Sequence, residues 1–285
     1  MPVRKSLTVL YRSCWIAFFV VLVAGMHYDF SWLWSWLPLG LLMVTRLLAN
    51  RARPEGAGGG ADGADGRADF GVRSAVEVEA PVTGRWRALN SPADRVPSHG
   101  TRAYGQAYAI DIVAEPDGRP RPSFGWWPVV RRSGAFPAFG APVVAPADAT
   151  VVRVADGQRD HLSRNSFPAL PYLLVEGMCR DLAGARRLVG NHVILDLGAG
   201  VYALYAHLRR GSAVVREGER VRAGDELARC GNSGNSSEPH VHFQLMDDAD
   251  PDVARGIPFD WRGIGVPAND EVFTAPGVLN RPGTG

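Results

Sequence analysis

The sequence predicts a mainly β domain preceded by a pair of apolar helices, and three observations carry that prediction. Two apolar runs, 7–26 and 30–48, open the chain, and a stretch rich in Gly, Ala and Asp follows them. From residue 70 onward the apolar residues alternate or fall in short β-branched runs between Gly, Pro and Asp, with no long stretch at helical spacing. A chain of 285 residues suits one domain plus appendages, and 31 Lys+Arg against 29 Asp+Glu leaves no electrostatic footprint for nucleic acid.

Each apolar run approaches the roughly 20 residues that a helix needs to cross a bilayer, so both are expected to be transmembrane helices with lipid as their partner. Trp32, Trp34 and Trp36 crowd the start of the second run, as interfacial aromatics do. Arg4 and Lys5 precede the pair and Arg46, Arg51 and Arg53 follow it, a pattern that favours both ends on the cytoplasmic side. Residues 51–70 read as a disordered linker with a reach of roughly 25 Å. Residues 71–264 read as the β-rich domain, with a core at 105–246, and 265–285 as a Pro/Gly-rich tail.

Within the domain the expected strands include "SAVEVEAPV" (74–82), "AYAIDIV" (107–113), "NHVILDL" (191–197) and "VYALYAHL" (201–208). Two longer insertions interrupt them, 114–140 with Trp126 and Trp127, and 158–189 with His161. Insertions of that length in a compact β domain are expected to wall a binding groove. Cys14, Cys179 and Cys230 lack CxxC spacing, which leaves a Cys179–Cys230 pair or free thiols as the readings.

The chemistry concentrates in "GNSGNSSEPHVHFQL" (231–245). On a strand, His240, His242, Gln244 and Met246 share one face and Val241, Phe243 and Leu245 the other. Two imidazoles on a face that the core does not need can supply a metal ligand and a neighbouring acid/base group. The same alternation puts Tyr205 beside His207, and Asp111 beside the small residues Ala107 and Ala109. The helical zinc signature HExxH is missing.

The order and spacing of "APVVAPADATVVRVADG", "GNHVILDLGAGVYALYAHL" and "VREGERVRAGDELARCGNSGNSSEPHVHFQL" resemble those of the lysostaphin-type, LytM-like zinc metalloendopeptidases. That resemblance spans most of residues 105–246. It implies a LytM-like antiparallel β-sandwich or barrel of the duplicated hybrid motif type, one zinc ion per chain, and cleavage of peptide cross-links in peptidoglycan by a zinc-activated water. Carried over position by position, it makes Asp111 and His242 ligands and His207 and His240 catalytic. One position departs, because the histidine the family carries four residues before its aspartate is Ala107 here. A catalytic zinc site needs three protein ligands, and His99, twelve residues before Asp111, is the expected third.

Tyr205, Trp126 and Trp127 are candidate substrate contacts, and His161 and His192 are expected to be solvated bystanders. The alternative reading is a degenerate LytM-like module that binds cell wall or regulates another hydrolase. A biotinyl or lipoyl carrier is excluded, because such domains need an attachment lysine and the one lysine is Lys5. The resemblance implies an extracytoplasmic domain, against the arginine pattern of the apolar runs.

Overall fold

In the computed structural model, residues 2–25, 28, 34, 36–51 and 74–277 are described. They fall into two compact units, Met1–Arg73 and Ser74–Gly285. The expected linker lies, apart from Arg51, outside the described residues.

The first unit contains α1 (Pro2–Gly25) and α2 (Trp36–Arg51), where the two apolar runs predict helices. Among the described residues, however, no helix is long and apolar enough to cross a membrane. The expected transmembrane spans are therefore not supported. At 1.5 Å per residue the 16 residues of α2 reach only about 24 Å, short of the ~30 Å hydrocarbon core. α1 has the length, but Arg4, Lys5, Ser6, Thr8, Arg12 and Ser13 dilute its first half.

The second unit is mainly β with antiparallel pairing, as expected. In chain order its strands are β1 (Val76–Val78), β2 (Gly84–Leu89), β3 (Ile110–Ala114), β4 (Pro142–Val144), β5 (Ala149–Ala155), β6 (His192–Gly198) and β7 (Val201–Ala206). They continue with β8 (Arg220–Val221), β9 (Glu226–Arg229), β10 (Val241–Met246), β11 (Gly256–Ile257), β12 (Phe259–Trp261) and β13 (Val272–Ala275). The large sheet runs β13-β2-β3-β10-β7-β6-β5-β8, with β11 also on β10. β4 pairs with β9, and β1 lies parallel to β12. Two expectations change here. β13 lies in the stretch read as a tail, yet it pairs with β2 along Val272↔Arg87 to Ala275↔Gly84. The strand expected at 107–113 begins only at Ile110, because Ala103–Tyr108 forms a 3-10 segment.

Period-two alternation in three adjacent strands builds a separate apolar cluster on each face of the sheet. Val193 and Leu195 of β6, Ala203 and Tyr205 of β7, and Val241, Phe243 and Leu245 of β10 join the large core with Val143 of β4 and Leu227 of β9. Ile194, Leu204, Ala206 and Met246 from the same strands form a smaller cluster with Val189 and Ala254 on the other face. Each fully buried Leu or Phe contributes roughly 1.5–3 kcal/mol, so a one-residue slip of β10 would forfeit both clusters at once.

The second insertion carries a helix that the strand-dominated pattern does not predict. α3 (Leu170–Ala183) starts behind Ser166, whose hydroxyl accepts from the Ala169 N–H at 3.3 Å. Arg180 and Glu176 pair along it at 2.7 Å, and Glu176 also pairs with the buried Arg164. Gly177 lies so close to Asn235 that a Cβ there would stand 3.0 Å from its Oδ1. This close approach holds α3 against the loop that precedes β10. The short α4 (Ala185–Val189) then leads into β6. Among the described residues the three cysteines are free, with Cys14 and Cys230 buried and Cys179 exposed, so the Cys179–Cys230 pair does not form.

Candidate metal centre and catalytic cleft

β10 lies between β3 and β7, and its register sets His242 opposite Asp111 on one side and Ala206 on the other. Ladder pairing therefore brings the ligand candidates Asp111 and His242 together directly, with His242 Nδ1 at 2.8 Å from Asp111 Oδ1. His207 follows the last residue of β7 at φ +60, which ends the strand's alternation. The chain kinks there, and the His207 ring comes to 4.8 Å from the His240 ring and 5.8 Å from that of His242, centroid to centroid. Tyr205 goes to the opposite side. It is fully buried in the large core, stacked edge-on against Phe243, and its hydroxyl donates to the Val144 carbonyl at 2.9 Å. The expected substrate contact at Tyr205 is thus corrected to a core residue, because the kink removes it from the face His207 occupies.

His99 arrives from a loop rather than from the sheet. Its Nε2 lies 3.0 Å from Asp111 Oδ2, and its ring sits 4.9 Å from the His242 ring. Ala107, expected to leave room beside Asp111, instead sits buried in the 3-10 segment against Gly256, where an added Cβ would come within 3.2 Å of it.

The tautomers follow from the second partners of each ring. Ser98 Oγ donates to the Ala109 carbonyl at 2.6 Å, so towards His99 Nδ1 at 3.0 Å it accepts. That puts the proton on His99 Nδ1 and leaves the Nε2 lone pair facing Asp111. Gln244 Nε2 donates to the Tyr104 carbonyl at 2.8 Å, which turns its Oε1 towards His242 Nε2 at 3.0 Å. That puts the proton on Nε2 and leaves the Nδ1 lone pair facing Asp111 as well. Two nitrogen lone pairs thus converge on one carboxylate, a repulsion that a cation bound between them would relieve. Ligating atoms of His99, Asp111 and His242 lie within 4.8 Å of one another. Three ligands of types N, N and O, each held from behind by a hydrogen bond, fit a catalytic zinc site with an open position. Asn90 is the remaining holder, donating from Nδ2 to Asp111 Oδ2 at 2.8 Å.

The two catalytic candidates share a different pattern. His207 Nδ1 donates to the Ser233 carbonyl at 2.9 Å and His240 Nδ1 to the Glu238 carbonyl at 2.8 Å, so both rings present Nε2 to the same space. Burial pushes the Asp111 carboxyl up, but attraction to His99 and His240 and the close imidazole contacts hold it well below the usual carboxylate range. Burial and the neighbouring His240 and His242 keep His207 well below the usual imidazole range. His240 is likewise lowered by burial, yet its attraction to Asp111 and hydrogen bond with it leave it raised.

These rings line a cleft of about 210 Å³. Its other walls include Asn90, Leu173 of α3 and Leu188 of α4, which the sequence does not single out, and Asn235 and Ser237 from the 231–245 stretch. Nothing in the local sequence of Asn90, Leu173 or Leu188 marks them, since packing alone brings them to the site. Trp126 and Trp127 do not line the cleft; they are 71% and 80% exposed, and Trp126 leans on Phe167 at 4.9 Å. Gly125 and Ser166 form a bridge that joins the two insertions. His161 and His192 stay outside the metal cluster but are not solvated: His161 bonds to the Gly234 carbonyl at 2.9 Å, and His192 is buried on β6.

Comparison with known proteins finds relatives among peptidases. Residues 176–253 match the family model described as Peptidase family M23, a segment that contains His207, His240 and His242. An uncharacterized metalloprotease of Haemophilus influenzae is 30% identical over 106 residues, covering 37% of this chain and 16% of its own length. The peptidoglycan DD-endopeptidase ShyA of Vibrio cholerae is 28% identical over 83 residues, covering 29% and 17%. The chain thus spans under a fifth of the length of these curated relatives. Among solved structures, the catalytic domain of the antimicrobial peptidase lysostaphin from Staphylococcus simulans is 21% identical, with a TM-score of 0.28 over 47% of this chain and 85% of that one. Residues 176–253 of this chain are thus similar to peptidase family M23.

Proposed function

We propose that the second unit is a zinc-dependent endopeptidase that cleaves peptide bonds in peptidoglycan cross-links. The observation that carries this reading is the convergence of the His99, Asp111 and His242 ligand atoms beside the two Nε2 atoms of His207 and His240. The relative named as a peptidoglycan DD-endopeptidase supports the choice of substrate.

When bound, zinc supplies Lewis-acid activation of a water and of the scissile carbonyl. Asp111, His99 and His242 would hold the ion, and Ser98, Gln244 and Asn90 hold those three in orientation. Of the two remaining rings, one accepts the attacking water's proton at Nε2. The other, when protonated at both nitrogens, donates from Nε2 to the developing oxyanion or the leaving amine. Both Nδ1–H groups are committed to backbone carbonyls, so neither ring can turn away from the cleft.

A peptidoglycan substrate would require the second unit outside the cytoplasm, and we assign the first unit the task of keeping it near a bilayer. Exposed apolar side chains on α1 and α2, among them Leu10, Val20, Leu37 and Met43, support that role. A protease-accessible C-terminal tag on intact cells is expected, and a protected tag would refute this location.

The activity test incubates zinc-loaded protein with purified peptidoglycan and counts newly released amino groups. Release that vanishes on chelation and returns with zinc is the expected result. Pelleting with peptidoglycan without any release would instead support the non-catalytic module.

A further inference from the structure

We infer that Gln244 is a positioning residue for the metal centre, set in place by the left-handed turn Tyr104–Gly105, and that it decides which nitrogen of His242 carries the proton. The proposal rests on the zinc reading of the site and adds to it a reason for the ligand geometry.

Tyr104 and Gly105 both have positive φ, +60 and +72, inside the 3-10 segment that precedes β3. This reversal presents the Tyr104 carbonyl to the interior face of β10, two residues beyond His242. A carbonyl can only accept, so it orders the two ends of an otherwise ambiguous amide: Gln244 Nε2 must face it, at 2.8 Å, and Oε1 must face His242 Nε2, at 3.0 Å. His242 then carries its proton on Nε2 and presents Nδ1 as a lone pair to Asp111. Without that instruction, the carboxylate 2.8 Å from Nδ1 would favour the opposite tautomer, whose N–H would block the ligand position. Gln244 is 1% exposed, so no water competes for its amide. The turn is built to fit it: a Cβ on Gly105 would stand 2.8 Å from Gln244 Nε2. The Tyr104 hydroxyl bonds to Asp181 of α3, which ties the turn to the helix that walls the cleft.

Two variants separate this role from packing. Gln244→Met keeps the volume and loses the acceptor, whereas Gln244→Glu keeps an acceptor for His242 and disturbs the packing beside the Tyr104 carbonyl. We expect zinc affinity, measured by competition with a chromophoric chelator, to fall by about 10–100-fold in Gln244→Met and to be held better in Gln244→Glu. Histidine nitrogen NMR on the metal-free protein above the imidazole titration range should show the Nε2–H tautomer of His242 in the wild type and its loss in Gln244→Met. An Nδ1–H tautomer in the wild type, or wild-type zinc affinity in Gln244→Met, overturns the proposal. Should the wild type bind no zinc, the functional reading falls, while the tautomer spectrum still decides this one.

Discussion

The two segments that meet at the candidate metal centre, the strand "PHVHFQ" and the loop "SHGTRAYGQAYAID", each bring a candidate ligand to it by opposite means. On β10, His242 is fixed by ladder pairs on both sides, and the residues flanking it in sequence are buried in the large core. On the loop, His99 is fixed by a single hydroxyl, by one carboxylate contact and by a chain path that turns through Gly100, Tyr104 and Gly105 at positive φ. A ligand on a central strand is held by the same ladder and burial that stabilise the fold. A ligand on a loop is held by contacts that exist only once the site has formed.

The largest effects should come from the rings that bind nothing in sequence but work together in space. His207→Ala or His240→Ala is expected to lower kcat by about 10²–10⁴-fold with zinc stoichiometry unchanged. Zinc loss in either variant would make that ring a ligand and redraw the site. The strand and the loop are then compared directly. His242→Ala and His99→Ala should both lose zinc, read by metal analysis of the purified proteins. In the metal-free state, His242→Ala should also cost about 2–4 kcal/mol of unfolding free energy, through the hole left in a packed strand. His99→Ala should cost under about 1 kcal/mol. Equal losses in urea titrations would erase the distinction.

Two glycines refine the loop side. Gly100→Ala, at φ +70 with open space around the new Cβ, should cost about 1–2 kcal/mol and leave zinc affinity intact. Gly105→Ala, at φ +72 with its Cβ against Gln244, should cost more and weaken zinc as well. The smallest effect extends the comparison to histidines away from the centre, His192 on β6 and His161 on a loop. Burial lowers both below the ordinary imidazole value of about 6.5. The unfolded chain therefore binds more protons than the native one in that region, and stability should fall as pH drops through about 6.5. Replacing His192 by Gln should flatten the fall seen in urea midpoints between about pH 8 and pH 5.5; an unchanged slope would assign the fall to other groups.

Much of the strand side was legible in the sequence. Alternation in "PHVHFQL", "NHVILDL" and "VYALYAHL" places the apolar set correctly, and the spacing of these pieces carries the resemblance to the lysostaphin-type peptidases. Alternation failed at Tyr205 because His207 lies past the strand at positive φ, a backbone reversal that side-chain pattern does not encode. It failed at Ala107 because a 3-10 segment replaces the start of the expected strand. The helix α3 was hidden inside a segment whose Pro, Gly and Arg residues read as an irregular insertion. β13 was hidden in a Pro/Gly-rich end, and three- or four-residue strands have too few alternations to stand out.

The sequence by itself determined which residue types reach each face of β10, since the period of an extended strand follows from backbone geometry alone. It also determined the chemistry available, as histidines, aspartates and no attachment lysine in the domain. Only the tertiary structure decided that His99 stands beside Asp111, that Tyr205 faces inward, and that Leu173 and Asn90 wall the cleft. Those outcomes depend on contacts between segments far apart in the chain, which form when loop closure and burial are settled together rather than residue by residue.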